Sequence, residues 1–248
     1  MEARFFTDVG QFREQNEDAG GIYVNQTGQE LLVICDGMGG HAAGEVASQF
    51  VNDSLKERFE NENYIEFEQA EAWLKSNLSE INRHLYNESM SHDAYRGMGT
   101  TCVCVLIYEK DVVVANIGDS RAYLINNREM MQLTDDHTFV NHLVSIGEIT
   151  KEEAFTHPQK NIITKVMGTD KRVIADVFYF NTKFYDYLLL NSDGLTDYLH
   201  ENDVQEIIMS HEGTVDEIGK DLIDATINAE GKDNISLILC PFEGGKIW

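Results

Sequence analysis

Three apolar segments of this chain each run directly into an aspartate. Asp36 follows Leu-Leu-Val-Ile-Cys, Asp119 follows Val-Val-Val-Ala-Asn-Ile-Gly, and Asp193 follows Tyr-Leu-Leu-Leu-Asn-Ser. Asp233 precedes a fourth apolar segment, and Asp18 lies in the polar stretch Arg-Glu-Gln-Asn-Glu-Asp near the start of the chain. Because aspartate is poor strand material, these residues are expected at strand ends, where a turn or cap role explains any one of them singly.

The shared context of the five aspartates predicts a metal site. Carboxylates gathered at sheet edges repel one another unless cations neutralise them. Oxygen ligands without His or Cys favour Mg²⁺ or Mn²⁺, which keep several waters when only a few carboxylates bind them. The pattern therefore indicates cations whose waters act as nucleophiles.

The hydrophobic pattern predicts an α+β fold. Apolar residues recur at helical spacing in the segments 46–59, 74–85 and 215–225. Strand patterns cover 31–35, 101–108, 112–117, 121–125, 131–133, 173–179, 187–190 and 235–240. Most gaps between neighbouring strands are too short for a crossover helix, so we expect antiparallel sheets with helices layered on them.

Composition indicates a single folded domain over residues 1–248. Apolar residues make up 42% of the chain and only two prolines occur, so no disordered linker is expected. The net charge of −24 repels nucleic acid and anionic membranes, and we expect neither as a partner. The four cysteines lack CxxC spacing, and neither a secretion signal nor a long apolar span is found. We therefore expect buried thiols in a monomeric, cytoplasmic protein.

Six polar motifs surround the aspartates. They are Arg13-Glu-Gln-Asn-Glu-Asp18, Asp36-Gly-Met-Gly-Gly-His-Ala-Ala-Gly-Glu45, Gly99-Thr-Thr, Gly118-Asp-Ser-Arg121, Ser192-Asp-Gly194 and Asp233-Asn234. In order and spacing, over residues 4–240, the set resembles the bacterial branch of the protein phosphatase 2C family of metal-dependent Ser/Thr phosphatases. The resemblance implies a four-layer α-β-β-α sandwich, two antiparallel sheets flanked by helices, with a flap subdomain.

Matched by position, the resemblance implies a site for two or three Mn²⁺ or Mg²⁺ ions. The implied metal ligands are Asp18, Asp36, Gly37, Asp119, Asp193 and Asp233. Asp36 would bridge two ions and Gly37 would bind one of them through its carbonyl, with Glu17 a further candidate beside Asp18. In bacterial relatives a third ion adjoins the pair, and the residues that match its ligands are Asp119 and Asp193.

The implied reaction is hydrolysis of phosphoserine and phosphothreonine in proteins, without a covalent intermediate. A metal-activated water or hydroxide would attack phosphorus in line. Arg13 would bind two phosphate oxygens through its planar fork, the simple alternative being a surface arginine. His41 would protonate the leaving oxygen, the alternative being a solvated loop histidine. The implied partners are phosphoproteins, among them a bacterial Ser/Thr kinase and its substrates.

The segment 136–170 resembles the flap of the bacterial branch. It has no strand signal and only short helical patterns, at 139–146 and 152–155. Lys160 stands where the family usually has arginine and Thr138 where serine is common. We therefore expect flap contacts with substrate to differ from those of relatives.

Three other functions would require different features of the sequence. Gly37-Met-Gly-Gly-His-Ala42 satisfies a loose dinucleotide-binding pattern, but Asp36 would then turn a carboxylate toward the pyrophosphate. A cysteine-dependent phosphatase needs an arginine six positions after its cysteine, and no cysteine of this sequence has one. The remaining alternative is a catalytically weak phosphoprotein-binding module of the same fold, in which a lost aspartate or a lost Arg13 would be expected. All of these residues are present.

Overall fold

The computed structural model describes residues 2–39 and 43–242. The strands within these ranges are β1 (Arg4–Asp8), β2 (Asp18–Val24), β3 (Glu30–Met38), β4 (Gly99–Thr100), β5 (Cys102–Ile107), β6 (Asp111–Ile117), β7 (Arg121–Ile125), β8 (Met130–Gln132), β9 (Asp176–Asn181), β10 (Tyr187–Asn191) and β11 (Ile235–Pro241). The α-helices are α1 (Ala43–Glu60), α2 (Ala70–Ser91), α3 (Phe139–Ser145), α4 (Lys151–Phe155), α5 (Asp193–Thr196), α6 (Glu201–Ser210) and α7 (Val215–Asn228).

The strands form two antiparallel sheets. The first sheet has the order β1-β11-β10-β7-β8, and the second has the order β2-β3-β5-β6-β9 with β4 paired to β3. Strand β3 pairs antiparallel with both β2 and β5. Dinucleotide binding at a Gly-rich loop requires a parallel βαβ unit, so the strand before Gly37 does not belong to such a fold.

Three hydrophobic clusters separate four layers. Alternate residues of β3 face opposite sides, as the two-residue period of a strand requires. Leu31 and Val33 pack with α1 and α2, whereas Leu32 and Ile34 pack between the two sheets. A third cluster lies between the first sheet and helices α5 to α7. The expected α-β-β-α arrangement, two antiparallel sheets flanked by helices, is confirmed.

The two short helical patterns of the segment 136–170 are helices α3 and α4. Each is preceded by a threonine whose side chain accepts a hydrogen bond from the first turn, Thr138 from the Asn141 N–H and Thr150 from the Glu153 N–H. Thr150 and Glu153 also complete a capping box, which satisfies two otherwise unpaired backbone donors. The capping chemistry explains why such short segments are helical.

The sequence patterns were wrong at several elements. The ninth strand covers Asp176–Asn181 and not 173–179, because Val173 and Ala175 pack against the helices instead of pairing with β6. Strands β1, β2 and β4 and helices α5 and α6 were not predicted. In β2 the apolar pattern is interrupted by glycine: a Cβ on Gly20 would lie 2.8 Å from the Phe5 ring. Gly20 therefore allows the two sheets to come close together, although glycine has a low strand propensity.

All four cysteines are buried, as expected. Within residues 2–39 and 43–242, none of the helices combines the length and the apolar character needed to cross a membrane.

Candidate metal and phosphate site

Pairing of β2 with β3 places Asp18 opposite Asp36. The two residues are direct partners in the antiparallel register, and such partners direct their side chains to the same face. The Asp36 N–H donates to Thr101 Oγ1 at 2.9 Å, and the Asp36 carbonyl accepts from the Thr101 N–H at 2.9 Å and from Thr100 Oγ1 at 2.8 Å. These bonds fix the main chain of Asp36 and leave its carboxylate for other partners.

Asp193 and Asp233 come from the other sheet. Asp193 is the first residue of α5, directly after β10, and Asp233 lies just before the neighbouring strand β11. The Ser192 N–H donates to the Ser236 carbonyl at 3.0 Å, which ties these two strand ends together. The Ser192 hydroxyl donates to Asp18 Oδ2 at 2.9 Å. This last bond joins the edges of the two sheets.

The pKa values of these carboxyls report how closely they are gathered. Burial raises the pKa of Asp36 well above its usual value, and negative charge raises it further from Asp18, Asp193, Asp119 and Asp233. Burial raises the pKa of Asp193 in the same way, with Asp119 the largest charged contributor. The pKa of Asp18 rises to about 6, chiefly because of burial. The negative charges of Asp18, Asp119, Asp193 and Asp233 therefore all act on Asp36, and a cation among these carboxylates would relieve the repulsion.

Asp119 is the most enclosed of the five, with 4% of its surface exposed. Its Oδ1 atom is buried and has no hydrogen-bond partner in the described part of the chain. Burial and the nearby charge of Asp136 raise its pKa to about 7, opposed by Arg121. A buried carboxylate oxygen without a partner is costly. A cation ligated by Asp119 would supply the missing partner.

Arg13 lies in the loop between β1 and β2, beside the carboxylates. Its Nη2 donates to Asp233 Oδ2 at 2.8 Å, and its Nε donates to the Lys232 carbonyl at 3.3 Å. Asn234 fixes the loop: its side-chain amide donates to the Gln15 carbonyl at 3.0 Å, and its Oδ1 accepts the Glu17 N–H at 2.8 Å. A guanidinium carries five N–H donors, so donors remain for a phosphate.

Gly37 lies where two main-chain segments come close together. Its N–H donates to the Glu17 carbonyl at 3.1 Å, and a Cβ at this position would collide with the carbonyls of Gly44 and Glu17. Only glycine therefore fits between Asp36 and the start of α1. His41, the expected general acid, lies outside the described residues.

The residue types of this site suit hard cations better than the present arrangement of their side chains does. In the ranges 2–39 and 43–242, no three Asp, Glu, His or Cys side chains are arranged around a single point as ligands. Asp18 is instead engaged by Ser192, and Asp233 by Arg13. The all-oxygen donor set, the raised pKa values and the unpartnered Asp119 Oδ1 favour Mg²⁺ or Mn²⁺ with part of the shell supplied by water.

Two positioning residues were assigned no role from the sequence. Ser192 links the carboxylate of Asp18 to the other sheet, and Asn234 holds the loop that carries Arg13. Each directly adjoins one of the singled-out aspartates, Asp193 or Asp233. Adjacency was the available signal, but a hydroxyl or amide next to a strand end is too common to be assigned a partner without the fold.

The segment 136–170 contacts the chain just after Asp193. Lys160 Nζ lies 2.9 Å from Asp197 Oδ2 and 5.3 Å from the centre of the Phe155 ring. Phe155 in turn stacks on His200, with 4.5 Å between the ring centres. The segment therefore borders the carboxylate site.

Comparison with known proteins identifies the family. The protein phosphatase 2C family model matches residues 12–228. The serine/threonine phosphatase Stp of Listeria monocytogenes is 40% identical over 96% of this chain and 95% of its own length. The crystal structure of Stp1 from Staphylococcus aureus superposes with a TM-score of 0.96 at 60% identity, covering 98% of this chain and 95% of that one.

A further solved structure bears on the metal site. It is the catalytic domain of the serine/threonine protein phosphatase PstP in complex with two manganese ions. It is 32% identical to this chain, covers 96% of both chains and superposes with a TM-score of 0.82. With the match of the family model and the identities above, this chain belongs to the protein phosphatase 2C family of serine/threonine phosphatases.

Proposed function

We propose that this phosphatase hydrolyses phosphoserine and phosphothreonine in proteins with the help of two or three Mn²⁺ or Mg²⁺ ions. The observation that carries the proposal is the gathering of five aspartates from both sheets in one site beside the Arg13 guanidinium. The manganese bound by the related PstP domain supports the choice of cation. The substrates would be phosphoproteins of a bacterial Ser/Thr kinase, encountered by a monomeric, single-domain enzyme in the cytoplasm.

Each part of the site has a role in this chemistry. The bound cations would supply Lewis acidity, which makes water a nucleophile near neutral pH and neutralises charge on the phosphoryl group. Asp18, Asp36, Asp119, Asp193, Asp233 and the Gly37 carbonyl would hold the cations. Arg13 would orient two phosphate oxygens for in-line attack. His41 is proposed to protonate the leaving hydroxyl oxygen of the substrate.

The segment 136–170 is proposed to act as a flap that borders the bound substrate. Its contacts with Asp197 and His200 support this role, because they bring Lys160 and Phe155 next to the turn that carries Asp193. A lysine here offers a point charge where an arginine would offer a planar fork. Phosphopeptide selection is therefore expected to be looser at the flap than in relatives with arginine.

The proposal is tested by hydrolysis assays on chelator-treated protein. We expect no turnover of p-nitrophenyl phosphate or of phosphoserine and phosphothreonine peptides in EDTA, and recovery on addition of Mn²⁺ or Mg²⁺. Phosphotyrosine peptides are expected to be poor substrates, and no phosphorylated enzyme is expected after acid quenching. Equal rates with EDTA and with Mn²⁺ would contradict the proposal. Binding of phosphopeptides without turnover would favour the regulatory module instead.

Replacement of Arg13 with alanine is expected to raise the KM for phosphopeptides about 10- to 100-fold, the loss expected for a hydrogen bond to a charged group. Lysine at this position should recover only part of the loss, because it lacks the fork. Arg96→Ala is the matched control, since Arg96 is an exposed arginine paired only weakly with Asp93 at 3.7 Å. An unchanged KM in Arg13→Ala would remove Arg13 from the phosphate site.

A further inference from the structure

His137 lies where four parts of the structure meet. It is the second residue of the segment 136–170, and its ring lies between the turn after β6 and the start of β9. Its carbonyl accepts the Thr164 N–H at 2.7 Å, which joins the first residues of that segment, its outgoing arm, to residues near its end, its returning arm. A bridge between Thr138 and Ile163 continues this pairing by one residue. His137 therefore lies at the base of the proposed flap.

The imidazole ring is oriented by a partner on each nitrogen. The Gly118 N–H donates to Nδ1 at 2.9 Å, so Nδ1 must present its lone pair and the ring proton lies on Nε2. Nε2 then donates to Asp176 Oδ2 at 2.7 Å. Lys165 Nζ holds the other oxygen of Asp176 at 2.9 Å. Gly118 thus donates to His137, and both His137 and Lys165 donate to the Asp176 carboxylate, a chain of hydrogen bonds that fixes one tautomer of the ring.

Gly118 is clamped by this chain at both of its main-chain groups. Besides donating to Nδ1, it accepts the His137 N–H through its carbonyl at 3.0 Å. Its φ of +109° is open to glycine, and a Cβ would lie 2.6 Å from Cβ of Thr101. Because glycine has little conformational preference of its own, this turn depends on outside contacts for its shape. The next residue is Asp119, whose unpartnered Oδ1 is buried.

We propose that His137 is a positioning residue that holds Asp119 and the base of the flap in a single arrangement. The inference rests on the proposed function, because Asp119 is there a ligand of a cation. The ring contacts Gly118 and Asp176 and is not itself among the proposed ligands. It would act through the Gly118 turn, in the way that outer partners of metal ligands set affinity elsewhere, where their loss costs 10- to 100-fold in metal binding. Loosening the ring would weaken one cation site and detach both arms of the flap together.

The test compares His137→Gln with His211→Gln. Glutamine preserves a donor near the position of Nε2 but removes the acceptor for Gly118. His211 is a matched control because it is held in the same way, with the Gly213 N–H on Nδ1 at 2.8 Å and Asp221 near Nε2 at 3.1 Å, but it lies between α6 and α7. The readouts are Mn²⁺ binding by equilibrium dialysis and trypsin cleavage at Lys151 and Lys160.

For His137→Gln we expect one class of Mn²⁺ sites to bind at least about tenfold more weakly. Trypsin cleavage in the flap should be at least several-fold faster, and His211→Gln should match the unmodified protein in both measurements. His137→Asn keeps an acceptor near Nδ1, so its Mn²⁺ affinity and its cleavage rate should lie between those of His137→Gln and those of the unmodified protein. If His137→Gln does not fold, Asp176→Ala removes the partner of His137 Nε2 at a half-exposed residue and should change both readouts in the same direction.

An unchanged result for His137→Gln in either measurement would overturn the proposal. The outcome is distinguishable from failure of the proposed function. An unmodified protein that hydrolyses no phosphopeptide with Mn²⁺ would contradict that function. An active unmodified protein whose His137→Gln variant binds Mn²⁺ normally would overturn the positioning role alone.

Discussion

Replacing Asp36 with asparagine is expected to lower kcat/KM for phosphopeptides by about 10³-fold or more, the scale seen when a group that stabilises transition-state charge is lost. The amide has the shape of the carboxylate but carries no charge and bridges cations poorly. The Asp36 main chain is held by Thr100 and Thr101 through its own N–H and carbonyl, so the substitution leaves these bonds in place. The measurement is steady-state turnover at saturating Mn²⁺.

Unfolding cannot account for such a loss. Burial and neighbouring carboxylates raise the pKa of Asp36, which means that its anion is disfavoured in the folded chain without a cation. The neutral amide removes that penalty, so Asp36→Asn in EDTA should unfold at the same temperature as the unmodified protein or at a higher one. Asp53→Asn, at an exposed position of α1, is the control and should keep full activity. Turnover by Asp36→Asn within tenfold of the unmodified rate would contradict a bridging role.

Four of the five aspartates could be found from the sequence because each adjoins a long apolar segment, whereas Asp18 was found from its polar motif near the start of the chain. Such segments are buried strands, and a charged residue at the end of a buried strand is placed at a sheet edge by geometry. Which edges would meet was not contained in that pattern. The bond from Ser192 to Asp18 joins residues 174 positions apart in the chain, and only the packing of one sheet on the other brings them together.

The less regular elements could not be predicted from the sequence, and each has a physical reason. Strand β2 carries Gly20 and Gly21 where apolar residues would mark a strand, because a Cβ on Gly20 would meet the Phe5 ring of the other sheet and a Cβ on Gly21 would meet the Tyr23 ring. Helix α6 buries only Val204 and Ile208, which is too short a stripe to stand out. The role proposed for His137 was hidden for another reason: its partners Gly118, in the turn after β6, and Asp176, in β9, lie 19 and 39 positions away in the chain, and a single histidine carries no periodic signal.

Without cations, the folded protein is expected to lose stability as the pH rises from about 4 to 7, opposite to the usual behaviour of paired carboxylates. The pKa is about 6 for Asp18 and about 7 for Asp119. An unfolded aspartate has a pKa of about 3.9. Between these values the folded chain holds protons that the unfolded chain has released, so the free energy of unfolding falls with rising pH. A loss of about 2 kcal/mol would lower Tm by roughly 4 to 8 °C.

Mn²⁺ should remove this dependence of stability on pH, because a cation at the carboxylates replaces the protons. A cation that binds only the folded state also raises the free energy of unfolding. At a free concentration 100 times the Kd, the gain is about 2.7 kcal/mol, or roughly 5 to 10 °C in Tm. Thermal unfolding in EDTA and in Mn²⁺ across this pH range measures both effects. Asp119→Asn should flatten the slope in EDTA, since its amide cannot take up a proton. The same carboxylates must account for the pH dependence of Tm without metal and for its loss when Mn²⁺ is bound. If Tm fell equally with pH in EDTA and in Mn²⁺, these carboxylates would not be the groups that bind the cation.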